Sequence, residues 1–193
     1  MTPPPPPPRR LRAFLVGLVL AAALALFLFV GLGTTSNGAS GAGGVVPIGS
    51  TAPNFTLSSV VGGPPVDLYA LGRHRHHPVV LNFFASWCIP CQKETPLLAS
   101  TARAEQAKGS VLQFVGVDAA DSPTDAIPFI HQSGINYPVG QDPKAGISSS
   151  DYGLNGYPAT FFIDESGTVV WHQSGPISKA ELDHWIHKLV GGH

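Results

Sequence analysis

The sequence predicts an α/β domain built on one mixed sheet with helices on both faces, and three observations carry that expectation. Val79-Val80-Leu81-Asn82-Phe83-Phe84 is an apolar run of strand length, the pattern of a buried strand. Residues from Pro90 to about Lys108 have helical character and lead into a second apolar run, Val111 to Val117. Strand, helix and strand in that order give a parallel pair joined by a right-handed crossover. Thr160–Ile163 and Thr168–Gln173 then flank Asp164-Glu165-Ser166-Gly167, a turn sequence that folds an antiparallel hairpin onto the same sheet.

The chain has 193 residues, and its N-terminal part reads as non-globular. Residues 3–8 are six prolines, which have no N–H to donate and favour an extended, solvated segment. With Arg9, Arg10 and Arg12 they form a tail, 1–12, expected on the cytoplasmic side. Ala13 to Gly33 carries no charge and, at 1.5 Å per residue, is long enough for a hydrocarbon core about 30 Å thick. It reads as a transmembrane signal-anchor, longer than the apolar region of a cleaved signal peptide and without a small-x-small cleavage site directly after it. The arginines before the span, with no basic residue after it until Arg73, place the N-terminus inside and the rest of the chain outside the cell membrane. Residues 34–44, rich in Gly, Ser, Ala and Thr, read as a flexible linker, and 45–193 as the single folded domain.

Within that domain Asn54–Leu57 and Pro65–Asp67 are expected as short strands and Thr124 to Ser133 as a helix. Ala145 to Tyr152 is expected as a short helix, and Ser178 as the cap of a last helix reaching Val190. The formal net charge is −1, and beyond the N-terminal arginines the short stretch Arg73–His77 is the one basic cluster, so a phosphate-neutralising stripe is missing and nucleic acid is excluded as a partner. Two cysteines, three apart, neither staple a disulfide framework nor make a four-cysteine zinc site.

Their chemistry follows from their place. In Phe84-Ala85-Ser86-Trp87-Cys88-Ile89-Pro90-Cys91 a strand ends and a helix begins. A sulfur at a helix N-terminus meets unpaired N–H groups and the positive end of the helix dipole, which favour thiolate. Cys88 is the expected nucleophile. Cys91, one turn on, closes a redox-active disulfide with it and resolves mixed disulfides. Pro90 suits the first helical turn because it has no N–H to leave unpaired, and Trp87 is expected over one side of the pair.

These motifs resemble the extracytoplasmic thioredoxin-like reductases of the TlpA/ResA/DsbE group, over nearly all of residues 45–190. Gly49 to Leu57 resembles the opening segment of that group, VVLNFFASWCIPCQKE (79–94) its active-site segment, Gly156 to Asp164 its cis-proline strand and Gly167 its hairpin. The resemblance implies a thioredoxin fold, a cis peptide before Pro158, and a groove in which the Tyr157 backbone pairs with an extended substrate. It also makes Glu94, three residues after Cys91, a candidate catalytic carboxylate able to exchange protons with Cys91. Asn82, six residues before Cys88, replaces the buried aspartate of cytosolic thioredoxins. The implied partners are exported proteins bearing disulfides, apocytochrome c among them, and a membrane thiol-electron donor. No cofactor is implied.

Peroxiredoxins share this fold, but they usually carry Thr three residues before the reactive cysteine where this chain has Ala85, so peroxidase turnover is expected to be negligible. A non-catalytic peptide-binding module is disfavoured by the intact cysteine pair, whereas a disulfide-forming oxidant differs only in direction. The neutral Ile89-Pro90 dipeptide, which adds no charge or donor to hold a thiolate, leans towards a reductant. His74, His76, His77, His184 and His187 are expected on solvated surfaces, Trp171 and Trp185 in the core or an interface, and Asp118 as the end of its strand rather than part of the chemistry.

Overall fold

The computed structural model describes residues 44–191. The tail expected at 1–12, the apolar span expected at 13–33 and all but the last residue of the linker expected at 34–44 lie outside the described residues. Among the described residues no helix is long and apolar enough to cross a membrane.

Two short strands, β1 (Thr56–Leu57) and β2 (Val66–Asp67), pair antiparallel and lead into a helical turn, α1 (Leu68–Leu71). The Arg73–Arg75 segment forms a single 3-10 turn. Then follow β3 (Val79–Phe84), α2 (Ile89–Ala107), β4 (Gln113–Ala119), α3 (Pro123–Gln132) and β5 (Val139–Asp142). A turn of π-helix (Gly146–Asp151), β6 (Ala159–Ile163), β7 (Val169–Ser174) and α4 (Lys179–Gly191) complete the domain. The main sheet has the order β5-β4-β3-β6-β7. β3, β4 and β5 run parallel, while β6 is antiparallel to β3 and β7 to β6, the mixed sheet that the sequence predicts.

All six residues of β3 are buried, because this central strand is covered on both faces. Its even residues Val80 and Phe84 pack with Leu98 and Ala102 of α2, Ala126, Phe129 and Ile130 of α3, and Leu182 and Ile186 of α4. Its odd residues Val79, Leu81 and Phe83 join a second cluster with Phe55, Leu68, Tyr152 and Phe161. The three long helices therefore share one face. Both crossovers, β3-α2-β4 and β4-α3-β5, step the same way across the sheet, and right-handed connections that step the same way put their helices on the same side. Among the described residues the other face carries helix only as short turns, with the segment around Phe55 closing the rest.

β5 is a strand that the sequence reading did not anticipate. Val139-Gly-Gln-Asp is short and broken by glycine, and its strand character comes from pairing, Gly116 with Val139 through Ala119 with Asp142. Gly140 has a tertiary reason, since a Cβ there would lie 2.8 Å from the Cβ of Leu57. The last helix begins as expected. The Ser178 N–H donates to Glu181 Oε2 (3.0 Å) and the Glu181 N–H donates to Ser178 Oγ (3.2 Å), a reciprocal capping box.

Candidate active site

The cysteine pair lies at the C-terminal end of β3, where the loops after the parallel strands converge. Cys88 is the N-cap of α2, with extended backbone, and Cys91 sits in the first turn. The two are joined as a disulfide, with S–S 2.05 Å and Cα–Cα 5.2 Å. The Cys91 N–H, one of the unpaired donors of the helix start, donates to Cys88 Sγ at 3.2 Å, the interaction that favours a thiolate at this sulfur once the bond is reduced. Cys88 is the more accessible of the two and Cys91 is wholly buried, which suits an attacking and a resolving thiol in that order. Pro90 stands in the first turn, where its missing N–H costs no hydrogen bond.

Trp87 and Ile89 flank the pair as exposed apolar side chains, 59% and 63% accessible. The Trp87 indole N–H donates to the Ala120 carbonyl (3.0 Å), and its ring meets Tyr157 edge-on with centroids 6.1 Å apart. The Tyr157–Pro158 peptide is cis. Tyr157 is half-buried, and its hydroxyl pairs with Ser148 Oγ at 2.9 Å. Burial pushes the phenol up, so it is neutral at ordinary pH. Exposed Trp87 and Ile89, with Tyr157 against the Trp87 ring, thus put apolar surface beside the reactive bond.

Glu94 is buried under the helix, 4% exposed, where a helix-surface glutamate would be solvated. Its carboxylate accepts from the Ile177 N–H (Oε2, 2.6 Å) and from Asn82 Nδ2 (Oε1, 3.0 Å). Asn82 also donates to Thr160 Oγ1 (2.9 Å), its partner across the β3–β6 ladder. Desolvation raises the carboxyl to about 7 although both hydrogen bonds oppose the rise. A group that titrates near neutrality, on the same helix face as Cys91 and one turn away, is suited to take or return the proton of that thiol. Sequence reasoning singled out Glu94 and Asn82 separately; the partners contributed by Ile177 and Thr160 come from chain segments about eighty residues away, and no local signal announces them.

The remaining candidates lie elsewhere. His74, His76, His184 and His187 are exposed as expected, whereas His77 is half-buried, and among the described residues no group of three or more metal-ligating side chains assembles. Trp171 and Trp185 stack on each other at 4.9 Å beside Phe162. Asp118 stands one residue from the end of β4, close to where the sequence puts it; it is fully buried next to the active-site turn, and burial followed by the nearby Asp121 raises it to about 8.

Comparison with known proteins matches residues 48–172 to the AhpC/TSA family. The chain belongs to that family. Relatives that it matches include thiol-disulfide oxidoreductases. It is 31% identical over 143 residues to the thiol-disulfide oxidoreductase ResA of Bacillus thuringiensis strain Al Hakam, covering 74% of this chain and 79% of that protein. ResA of Bacillus subtilis strain 168 is 29% identical, with 75% and 76% covered. Among solved structures, a Chlorobium tepidum protein assigned as the thiol:disulfide interchange protein DsbE superposes with a TM-score of 0.65 at 31% identity, over 76% of this chain and 99% of that one. A secreted Mycobacterium tuberculosis disulfide oxidoreductase homologous to DsbE of E. coli superposes with a TM-score of 0.60 at 25% identity, over 70% and 96%. The domain is a thioredoxin-like redoxin of the ResA/DsbE group, and its activity is thiol-disulfide exchange through Cys88 and Cys91.

Proposed function

We propose that this oxidoreductase works as a reductant on the outer side of the cell membrane, held there by the apolar segment 13–33, and that exported proteins, apocytochrome c among them, are its substrates. In that direction the reduced Cys88 thiolate attacks one sulfur of a substrate disulfide, and the substrate's other sulfur leaves as a thiolate. Cys91 then gives up its proton and attacks Cys88 Sγ. The second substrate thiol leaves, and two electrons have passed to the substrate while the Cys88–Cys91 bond forms. Buried Glu94 accepts the Cys91 proton in the resolving step. A membrane thiol-electron donor restores the dithiol from the cytoplasmic side.

The observation that supports this direction is what surrounds the nucleophile. Ile89, the residue next to Cys88, turns its side chain to solvent, and Pro90 is uncharged. Neither adds charge to hold a thiolate, so the reduced pair gains no extra stabilisation of the kind that makes a strong oxidant. Two measurements on the full chain test the reading. In detergent, its reduction potential is expected to be far more reducing than that of a strong oxidant, and a value near about −120 mV would sink the assignment. In membranes of the native host, Cys91→Ser should accumulate mixed disulfides through Cys88 with extracytoplasmic thiol proteins. Capture of cytoplasmic proteins alone would overturn the proposed location.

A further inference from the structure

The turn that presents Cys88 is tied to the loop after β4 by contacts for which the chemistry of Cys88, Cys91 and Glu94 gives no reason. Asp121 Oδ2 accepts the Ser86 N–H at 2.6 Å, and its Oδ1 accepts the Ser122 N–H at 2.7 Å. One residue earlier, the Ala120 carbonyl accepts the Trp87 indole, while the Ala120 N–H donates to the Asp142 carbonyl (3.0 Å). Ala120 adopts a left-handed conformation, φ 53°, to direct its two peptide groups this way. Two consecutive residues ahead of the nucleophile are therefore held by two consecutive residues of this loop.

Behind the loop lies Asp118. It occupies the face of β4 that looks towards α2, directly across from Phe84, and is fully shielded from solvent. Neither of its oxygens meets an N–H or O–H donor among the described residues. The group that acts on it from outside its own strand is the Asp121 carboxyl, three residues further along the chain. Two ionised carboxylates close together repel, and an ionised carboxylate that is buried without any donor, as Asp118 would be, is costlier still. One proton between them removes both costs. Asp121 already accepts a backbone N–H on each oxygen, so the proton belongs on Asp118, whose O–H then donates to Asp121.

We propose that Asp118 and Asp121 are positioning residues for thiol exchange, a carboxyl–carboxylate pair sharing one proton that anchors the Ser86 amide and so holds the turn carrying the Cys88 sulfur. The proposal rests on the exchange activity itself and is independent of its direction, substrate or location. It has an electrostatic consequence. While the proton is shared, the pair carries one negative charge; when Asp118 loses it, near pH 8, the pair carries two. The titratable groups facing Asp118 are Asp121 on its own loop and the Tyr157 phenol on the loop before β6, with Asp142 at the end of β5 acting on the same phenol. No cation among the described residues stands with them to offset the added charge. Ionisation of Asp118 therefore disfavours the Cys88 thiolate and loosens the anchor together.

The test follows the rate at which iodoacetamide modifies Cys88 in the reduced full chain in detergent, read by mass spectrometry from acid to alkaline pH. The wild-type profile should flatten near pH 8, beyond the step that Glu94 adds near 7. Asp118→Asn keeps an N–H for Asp121 but has no proton to lose, and its profile should lack the flattening near pH 8 while keeping the step that Glu94 adds near 7. Asp118→Leu supplies no donor, and at neutral pH its rate should fall below that of Asp118→Asn on the order of fivefold, the net worth of one hydrogen bond. A flattening that persists in Asp118→Asn overturns the shared proton, and equal neutral-pH rates for the Asn and Leu variants overturn the anchoring role. If Asp118→Leu fails to fold by circular dichroism, the comparison of wild type with Asp118→Asn decides alone.

Discussion

Replacing Glu94 by Gln should flatten the dependence of the domain's stability on pH. The Glu94 carboxyl has an ordinary value of 4.5 and is held at about 7 in the fold, chiefly by desolvation. The folded chain thus binds this proton more tightly than the unfolded chain does. Its contribution to stability is complete below about pH 4.5 and is lost as pH rises through 7. At about 1.36 kcal/mol for each tenfold difference in proton affinity, the loss amounts to roughly 3 kcal/mol. The amide introduced by Glu94→Gln cannot titrate, and Asn82, whose Oδ1 has no partner among the described residues, can rotate its own amide to accept from the new N–H₂. Urea unfolding of the oxidised chain at intervals from about pH 4.5 to about pH 8.5 measures the effect. Asp118 also titrates in the upper part of that range, so the quantity to read is the difference between the wild-type and Glu94→Gln curves, which should approach roughly 3 kcal/mol across the window. Parallel curves would mean that Glu94 is solvated or ionised throughout, and the reasoning about its burial would be refuted.

Asn82→Ala removes one of the two hydrogen bonds that favour the Glu94 carboxylate, so its titration, followed by carbon NMR of the labelled carboxyl, should move upwards from about 7; a downward move would contradict the assignment of Asn82 as donor. Leu98→Ala, at a fully buried position where α2 meets the sheet, should cost about 2–5 kcal/mol in urea unfolding while leaving the reduction potential near that of wild type. Cys88→Ser should abolish insulin reduction, whereas a pure peptide binder would be indifferent to loss of the sulfur. Peroxide consumption should be negligible in the wild type, and rapid turnover that survives Cys91→Ser would reverse that expectation.

Local sequence made the fold legible wherever an element is long, apolar or capped by its own neighbours. The β3–α2–β4 unit, the β6–β7 hairpin and the Ser178 start of α4 follow from local patterns, and their boundaries in the structure differ by about one or two residues. β5 was hidden because Val139–Asp142 owes its strand character to β4 and to the close approach of Leu57, neither of which is nearby in sequence. The same division runs through the site. The placement of Cys88, Cys91 and Pro90 follows from one helix N-terminus. Whether Glu94 faces solvent or core depends on Ile177 and Asn82, and Asp118 looks like an ordinary strand-ending residue until Asp121 folds back over it. Helical spacing can bring a carboxyl to one side of a helix, but only the tertiary environment sets how tightly it holds its proton.

The Cys88–Cys91 ring is small, and that has a thermodynamic consequence. Closing so short a loop removes little freedom from the unfolded chain, roughly 2 kcal/mol on the chain-entropy scale, and two large apolar clusters on either side of the sheet hold the fold together without it. The domain can therefore exist folded in both redox states, as a catalyst that cycles between them must. Folding and electron affinity then become linked quantities: each step of about 1.4 kcal/mol by which the native state favours the disulfide over the dithiol, relative to the unfolded chain, makes the couple about 30 mV more reducing. Denaturation curves of the oxidised and reduced protein, taken side by side, weigh its appetite for electrons.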